Sequence, residues 1–297
     1  MNGTFYGWYF KCQSDTQTLA IIPAVHGIGK RQTCSIQIIT ENGAWTVSFP
    51  GSAFHRIGQN ISIGKNRFSK SGIRLDVQEP ELRVKGKLSF GPLSPLKYDI
   101  MGPFALIPFL ECRHSVWSMR HTVSGIVFIS GQKYYFRNAC GYWEGDRGQS
   151  FPKAYVWTQC FFKDGSLMLS VADIPIAGVH FNGVIAVVWW RGREYRLATY
   201  LGAVVLRLQD GVVRVVQGDM ELEARLLDKD AMKRSGAPLK APTMGNMVRT
   251  IHENAACRAF YRFRKGKRTL FSFKTNGASF EYEYPDVKKD KSTKNNS

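Results

Sequence analysis

Long apolar runs are missing from this 297-residue chain. The longest, Val184 to Trp190, falls far short of the roughly 18 residues that a membrane-spanning helix needs. The N-terminal MNGTFYGWYFK has no basic segment leading into an apolar one, so no secretory leader is read there. A cytoplasmic protein with peripheral membrane contact is the expectation. Acid is in short supply: 23 Asp and Glu stand against 41 Lys and Arg, a formal charge of +18. Such a surface attracts phosphate, on nucleic acid or on an anionic membrane face, without choosing between them. Cysteine is sparse and unpatterned. The six, at 12, 34, 112, 140, 160 and 257, form no CxxC pair, which argues against a zinc ribbon or a small disulfide scaffold. Most lie in apolar stretches and read as reduced, structural side chains. Familiar catalytic signatures are absent too. There is no GxxxxGK[ST], HExxH or GxSxG, and the GIG at 27–29 lacks the third glycine and following helix of a dinucleotide site. No cofactor is called for. Cys112, His114 and His121 do not make a metal set, because nothing constrains the reach from the first two to the third.

Helical periodicity is also scarce, and strands fill its place. CSIQIITENGAWTVSF at 34–49 reads as a hairpin turning at Asn42-Gly43. GIRLDVQ at 72–78 alternates Ile73, Leu75 and Val77 with polar residues, and 81–90 answers it antiparallel. Pro92, Pro95, Gly102 and Pro103 mark a long irregular passage. A second hairpin turns at Asp210-Gly211. DMELEARLL at 219–227 has helical propensity, but its period of two argues for a strand. One short helix is expected over 246–257, and a disordered basic tail over 286–297. Many short strands with turn signals give an all-β sandwich or barrel architecture.

The chemically richest stretch is GYWEGDRGQSFPKAYVWTQC at 141–160. If its first half is extended, Tyr142, Glu144 and Asp146 share one face. Gly148, Ser150 and Pro152 turn the chain, and Tyr155, Trp157 and Gln159 share a face of the next strand. Carboxyl groups among aromatic rings are candidates for acids held protonated near neutrality.

This stretch resembles the signature of the tocopherol cyclase-like family, of the kind GYxExDWGxSFPxxYxWxQ. FYGWYFK at 5–11, MGPFALIPFLECRHSVWSMRH at 101–121, SVADIP at 170–175 and EYRLATYLGA at 194–203 resemble further blocks of it, in the same order. Arg147 departs from the pattern, where the family has Trp. The resemblance implies two tandem lipocalin-like β domains, over 1–120 and 121–285, the second carrying the signature. It implies a cofactor-independent ring closure on a prenylated quinol: an alkene is protonated and a phenol oxygen captures the cation. Related double-lipocalin enzymes add water to carotenoid alkenes or guide cycloadditions. By the same resemblance Glu144 and Asp146 are the first candidates for the acid, with Glu111 in reserve. His114 is placed to orient a carboxyl group or bind the phenol. Tyr142, Tyr155, Trp157 and Gln159 are candidate substrate-binding residues, and a lipocalin-like barrel would supply the cavity. Two other functions compete. A non-catalytic carrier of a hydrophobic ligand needs the cavity but no acid. A nucleic-acid binder finds its best support in RAFYRFRKGKR at 258–268, where cations interleave with aromatic rings; a strand with solvated cations and inward aromatics explains it more simply.

Overall fold

The computed structural model describes residues 3–28, 31–108, 110–176, 178–228 and 237–284. Among these residues the chain is all-β, and its only helical elements are three short 3-10 turns. The first sheet holds β1 (Thr4–Gln13), β2 (Thr18–Ile28), β3 (Arg31–Thr40), β4 (Gly43–Pro50), β5 (Phe54–Ile57) and β6 (Asn60–Ile63). It continues with β7 (Asn66–Ser69), β8 (Gly72–Gln78), β9 (Arg83–Phe90), β10 (Cys112–Ile129) and β11 (Gln132–Gly148). The second sheet holds β12 (Tyr155–Phe162), β13 (Gly165–Ile176), β14 (Val179–Trp190), β15 (Arg193–Ala198) and β16 (Val204–Gln209). It ends with β17 (Val212–Gln217), β18 (Met220–Leu226), β19 (Ala237–Thr243), β20 (Asn246–Lys265) and β21 (Arg268–Tyr282). Strand order is 4-3-2-1-11-10-9-8-7-6-5 in the first and 15-14-13-12-21-20-18-17-16 in the second, with β19 beside β20. Both sheets are antiparallel and curled, the first nearly closed into a barrel and the second a half-barrel.

Local sequence explains most of these elements. In β8, Ile73, Leu75 and Val77 are buried while their neighbours face outward. β3 and β4 meet across Thr40 and Gly43, so the turn is Glu41-Asn42, one residue before the expected Asn42-Gly43. Asp210 and Gly211 both have left-handed φ, 53° and 73°, as a two-residue hairpin turn requires. DMELEARLL is a strand: Leu222, Ala224 and Leu226 point into the core. Among its described residues the passage 91–111 has no strand, only a 3-10 turn at Gly102–Leu106.

The structure corrects two expectations. The short helix over 246–257 is not formed; the segment begins β20, which pairs with β19 over 246–253 and with β21 from Glu253 onward. Ala and Glu favour a helix there locally, but ladder hydrogen bonds and the burial of Ile251 and Ala255 outweigh propensity. Nor does the chain change sheet near 120. Residue 120 lies inside β10, and β11 is held between β1 and β10, so the first sheet ends only at Gly148. The first half of the 141–160 stretch therefore closes the first sheet and its second half opens the next. The expected tail over 286–297 lies outside the described residues.

Three apolar clusters result. One fills the first barrel, with Phe10, Phe68, Phe136 and Trp143; another fills the half-barrel, with Val156, Tyr261, Phe263 and Phe280. A third lies where the outer faces of the two sheets meet, with Tyr9, Met119, Tyr142, Trp157 and Met168. Burying one such side chain stabilises by about 1.5–3 kcal/mol. Polar bonds tie the same seam. Buried Lys11 donates from Nζ to the Gly277 carbonyl at 2.8 Å, and Arg120 Nη1 donates to the Phe162 and Gly165 carbonyls at 2.9 Å each.

Candidate functional site

Alternation along β11 places Trp143 inside the barrel and Tyr142, Glu144 and Asp146 on the outer face, as their spacing predicts. On neighbouring β10, His114 stands directly across from Asp146. On β1, Tyr9 stands across from Glu144 and Gly7 across from Asp146. The second sheet covers this face with Tyr155 and Trp157 of β12, which point away from the half-barrel core. Between the two sheets lies a cavity of about 170 Å³. Its walls are mostly apolar: Phe5, Ile22, Phe104, Phe151 and Ile185 are among them. The cavity expected from a lipocalin-like barrel is therefore not inside one: apolar side chains fill both interiors, and it lies between the two sheets, where alternation turns one face of each strand toward the other sheet.

One polar part of the wall is a histidine held between two carboxylates. His114 Nδ1 lies 2.9 Å from Asp146 Oδ1, and Nε2 lies 3.0 Å from Glu144 Oε2. The Nε2 contact is an ion-pair approach; its N–H is not aligned on the oxygen. Glu144 Oε2 also accepts from Tyr142 Oη at 2.5 Å and from Trp157 Nε1 at 3.2 Å. Among the described residues Glu144 Oε1 receives no hydrogen bond. Cys112 Sγ is 3.5 Å from Asp146 Oδ1. Glu144 and His114 are buried, and Asp146 is about a quarter exposed. Burial would lower the His114 pKa, but Glu144 and Asp146 outweigh it and hold the imidazolium well above its usual 6.5. Tyr142 is pushed well above 10, first by burial and then by the Glu144 charge.

The candidates named from sequence separate clearly. Glu144, Asp146, His114, Tyr155 and Trp157 line the cavity, and Tyr142 supports Glu144 from behind. Glu111 is exposed and off the cavity; its backbone carbonyl accepts from the Gln149 and Ser150 amides. Gln159 continues the face of Trp157 but lies beyond the cavity, fully buried. Arg147 is exposed at the end of β11. His121 is not near His114's partners: its Nδ1 bonds Ser118 Oγ at 3.0 Å, and burial lowers its pKa to about 4. All six cysteines are free, and burial pushes Cys12, Cys160 and Cys257 up to about 12. The basic strand 258–268 is committed within the fold. Arg262 pairs with Glu221 and Glu223, and Lys265 with Asp219, while Tyr261 and Phe263 are wholly buried and present no ring to a base.

One acidic cavity residue was not singled out from sequence. Glu281 of β21 is buried in the wall, and its carboxylate accepts from Tyr155 Oη. The signal was available in SFEYEY, where Glu281 alternates with Phe280 and Tyr282, but such a pattern ordinarily means a solvated acid.

No protein-family model matches the chain, and no curated protein matches it. Solved structures do match, across nearly the whole chain. An AttH-type protein from Nitrosomonas europaea aligns over 96% of this chain and 93% of its own at 11% identity, with a TM-score of 0.52. Kievitone hydratase from Nectria haematococca aligns over 95% and 90% at 8% identity, TM-score 0.53. CghA, solved with Sch210972, aligns over 96% and 89% at 9% identity, TM-score 0.59. At these identities the likeness is one of fold: a double, lipocalin-like β architecture that the chain shares with these proteins along its length.

Proposed function

We propose that the chain is a cofactor-independent enzyme that moves a proton on a lipophilic substrate held between the sheets. The reaction is ring closure on a prenylated quinol or a similar isoprenoid. The observation that carries this reading is the Glu144–His114–Asp146 cluster set into a mostly apolar cavity. The fold neighbours support the class, since one is named a hydratase and another was solved with a small-molecule ligand.

The chemistry follows from the contacts. A small turn of the ring brings the His114 Nε2–H onto Glu144 Oε2, and passing that proton turns an ion pair into a neutral pair with the same proton count. A substrate that displaces water favours the neutral pair, because desolvation penalises charge. Glu144 is then a carboxylic acid facing an alkene, with Asp146 orienting the imidazole from Nδ1. The proton passes to the alkene carbon, a tertiary cation forms, and the phenol oxygen closes the ring as its own proton leaves. Tyr9, Tyr155 and Trp157 offer π-faces to the cation. Walls from both sheets hold the chain folded, so that alkene and oxygen meet.

The test is incubation of a geranylated hydroquinone with the protein, with product detected as a chromatographic shift at unchanged mass. Glu144→Gln keeps the shape and removes the acid, and turnover should fall by about 10² or more. A parent that binds prenyl quinols of several chain lengths but converts none would replace this reading with a carrier.

A further inference from the structure

The cavity has a second acidic pole, on the opposite wall. Glu144 belongs to the first sheet and Glu281 to the second, and Trp157 stands between them. Its indole donates to Glu144, and its backbone pairs with Glu281 in the β12–β21 ladder. Tyr155, two residues back on the same face, donates its hydroxyl to Glu281. Burial first, then the Glu281 charge, holds that phenol proton in place well above pH 10. Both members line the cavity. Nearby, Tyr9 Oη lies 3.1 Å from Ser279 Oγ, so the second pole sits in a patch of hydroxyl groups within apolar surroundings.

A ring closure needs two proton events at different places. One proton is delivered to an alkene carbon, and another leaves the oxygen as the C–O bond forms. The geometry points to the Glu281–Tyr155 pair as the site that receives the substrate's hydroxyl group and takes its proton. This rests on the reading of the cavity as a proton-transfer site. In the step, Glu144 loses a proton to carbon, the alkene π-pair forms the C–H bond, and an oxygen lone pair forms the C–O bond. The O–H bond breaks toward the Glu281 carboxylate. Proton exchange with water on product release resets both acids. The ligand class follows: a lipophilic molecule with a hydroxyl group at one end of its reacting segment and an alkene at the other.

The experiment reads binding apart from turnover. Intrinsic tryptophan fluorescence is titrated with a geranylated hydroquinone and with its dimethyl ether. The parent should prefer the free hydroquinone by tenfold or more, the scale of a hydrogen bond to a charged group. The double variant Tyr155→Phe/Glu281→Leu removes both members of the pair together and should bind the two probes alike. Glu281→Gln should keep KM and lower kcat by about 10². Retained preference in the double variant, or unchanged kcat in Glu281→Gln, overturns the proposal. So does a parent that binds neither probe or binds both equally. A parent that prefers the hydroquinone through Glu281 but never converts it removes the ring-closure reading and leaves this binding site standing.

Discussion

A histidine with an acid on each side holds its proton more tightly than free imidazole does. The folded pKa of His114 is raised, so its stabilising contribution is complete below the unfolded value near 6.5. It is lost as pH climbs through the folded value, at up to about 1.4 kcal/mol per pH unit. Urea midpoints measured from about pH 6 upward should therefore fall in the parent, and His114→Gln should flatten that fall. Equal slopes would show that the imidazolium contributes nothing to the fold. At this scale much of the site was legible. A period of two placed Tyr142, Glu144 and Asp146 together, and the same rule joined Tyr155 to Trp157. What joins His114 to both acids is the pairing of β10 with β11, interrupted by irregular register between Val116 and His121. No local pattern encodes that register. Glu281 was illegible for a different reason: its strand face reads as solvated, and the solvent there is replaced by the other sheet.

Strands β1 and β11 pair directly, and each carries a cavity-lining glycine with different room beside it. A Cβ at Gly7 would meet only Ala24 Cβ, at 3.9 Å, and Gly7 lines the cavity. A Cβ at Gly145 would strike the Gly7 carbonyl oxygen and approach the Trp117 ring to 2.8 Å. Gly7→Leu should leave the melting temperature within a few degrees of the parent and abolish ligand uptake by filling the cavity. Gly145→Ala should cost about 1–3 kcal/mol, the range for an overpacked site. Thermal melts with a fluorescence titration on each variant separate the two effects. If Gly7→Leu binds as the parent does, the cavity does not hold the ligand. Elements themselves were read well wherever alternation and turn residues agreed, as in β3, β4, β8 and β16 to β18. β20 was the exception in its first half: HENAAC speaks for a helix, and only its partners β19 and β21 impose extension. β19 carries Pro238 and Pro242, which disguise it as a break; its place off the main strand path, beside β20 alone, tolerates them.

At the scale of the molecule, the all-β, double architecture was legible from the density of short alternating runs. The point where the chain changes sheet was not, because residues 149–154 carry no linker composition and the long β10–β11 hairpin hides the transition. The charge of +18 also acts at this scale. Although Arg258, Arg262 and Lys265 are paired within the fold, the excess should draw the protein to anionic vesicles at low ionic strength and release it at high. Co-sedimentation with phosphatidylserine vesicles across a salt series measures this. Equal retention on neutral vesicles, or no dependence on salt, would remove the peripheral-membrane reading.

A cavity placed at a seam has walls that answer to two separately cored halves. Its width is set by how the halves are pinned, and the pins include Lys11 to Gly277 and Arg120 to Phe162, none of which lines the cavity. Changing the length of a pin would tilt one half against the other and resize the chamber, with no contact residue altered and neither interior repacked. Substrate size in such a molecule can thus be retuned from positions remote from the ligand, as the bite of a pair of tongs is set at the rivet.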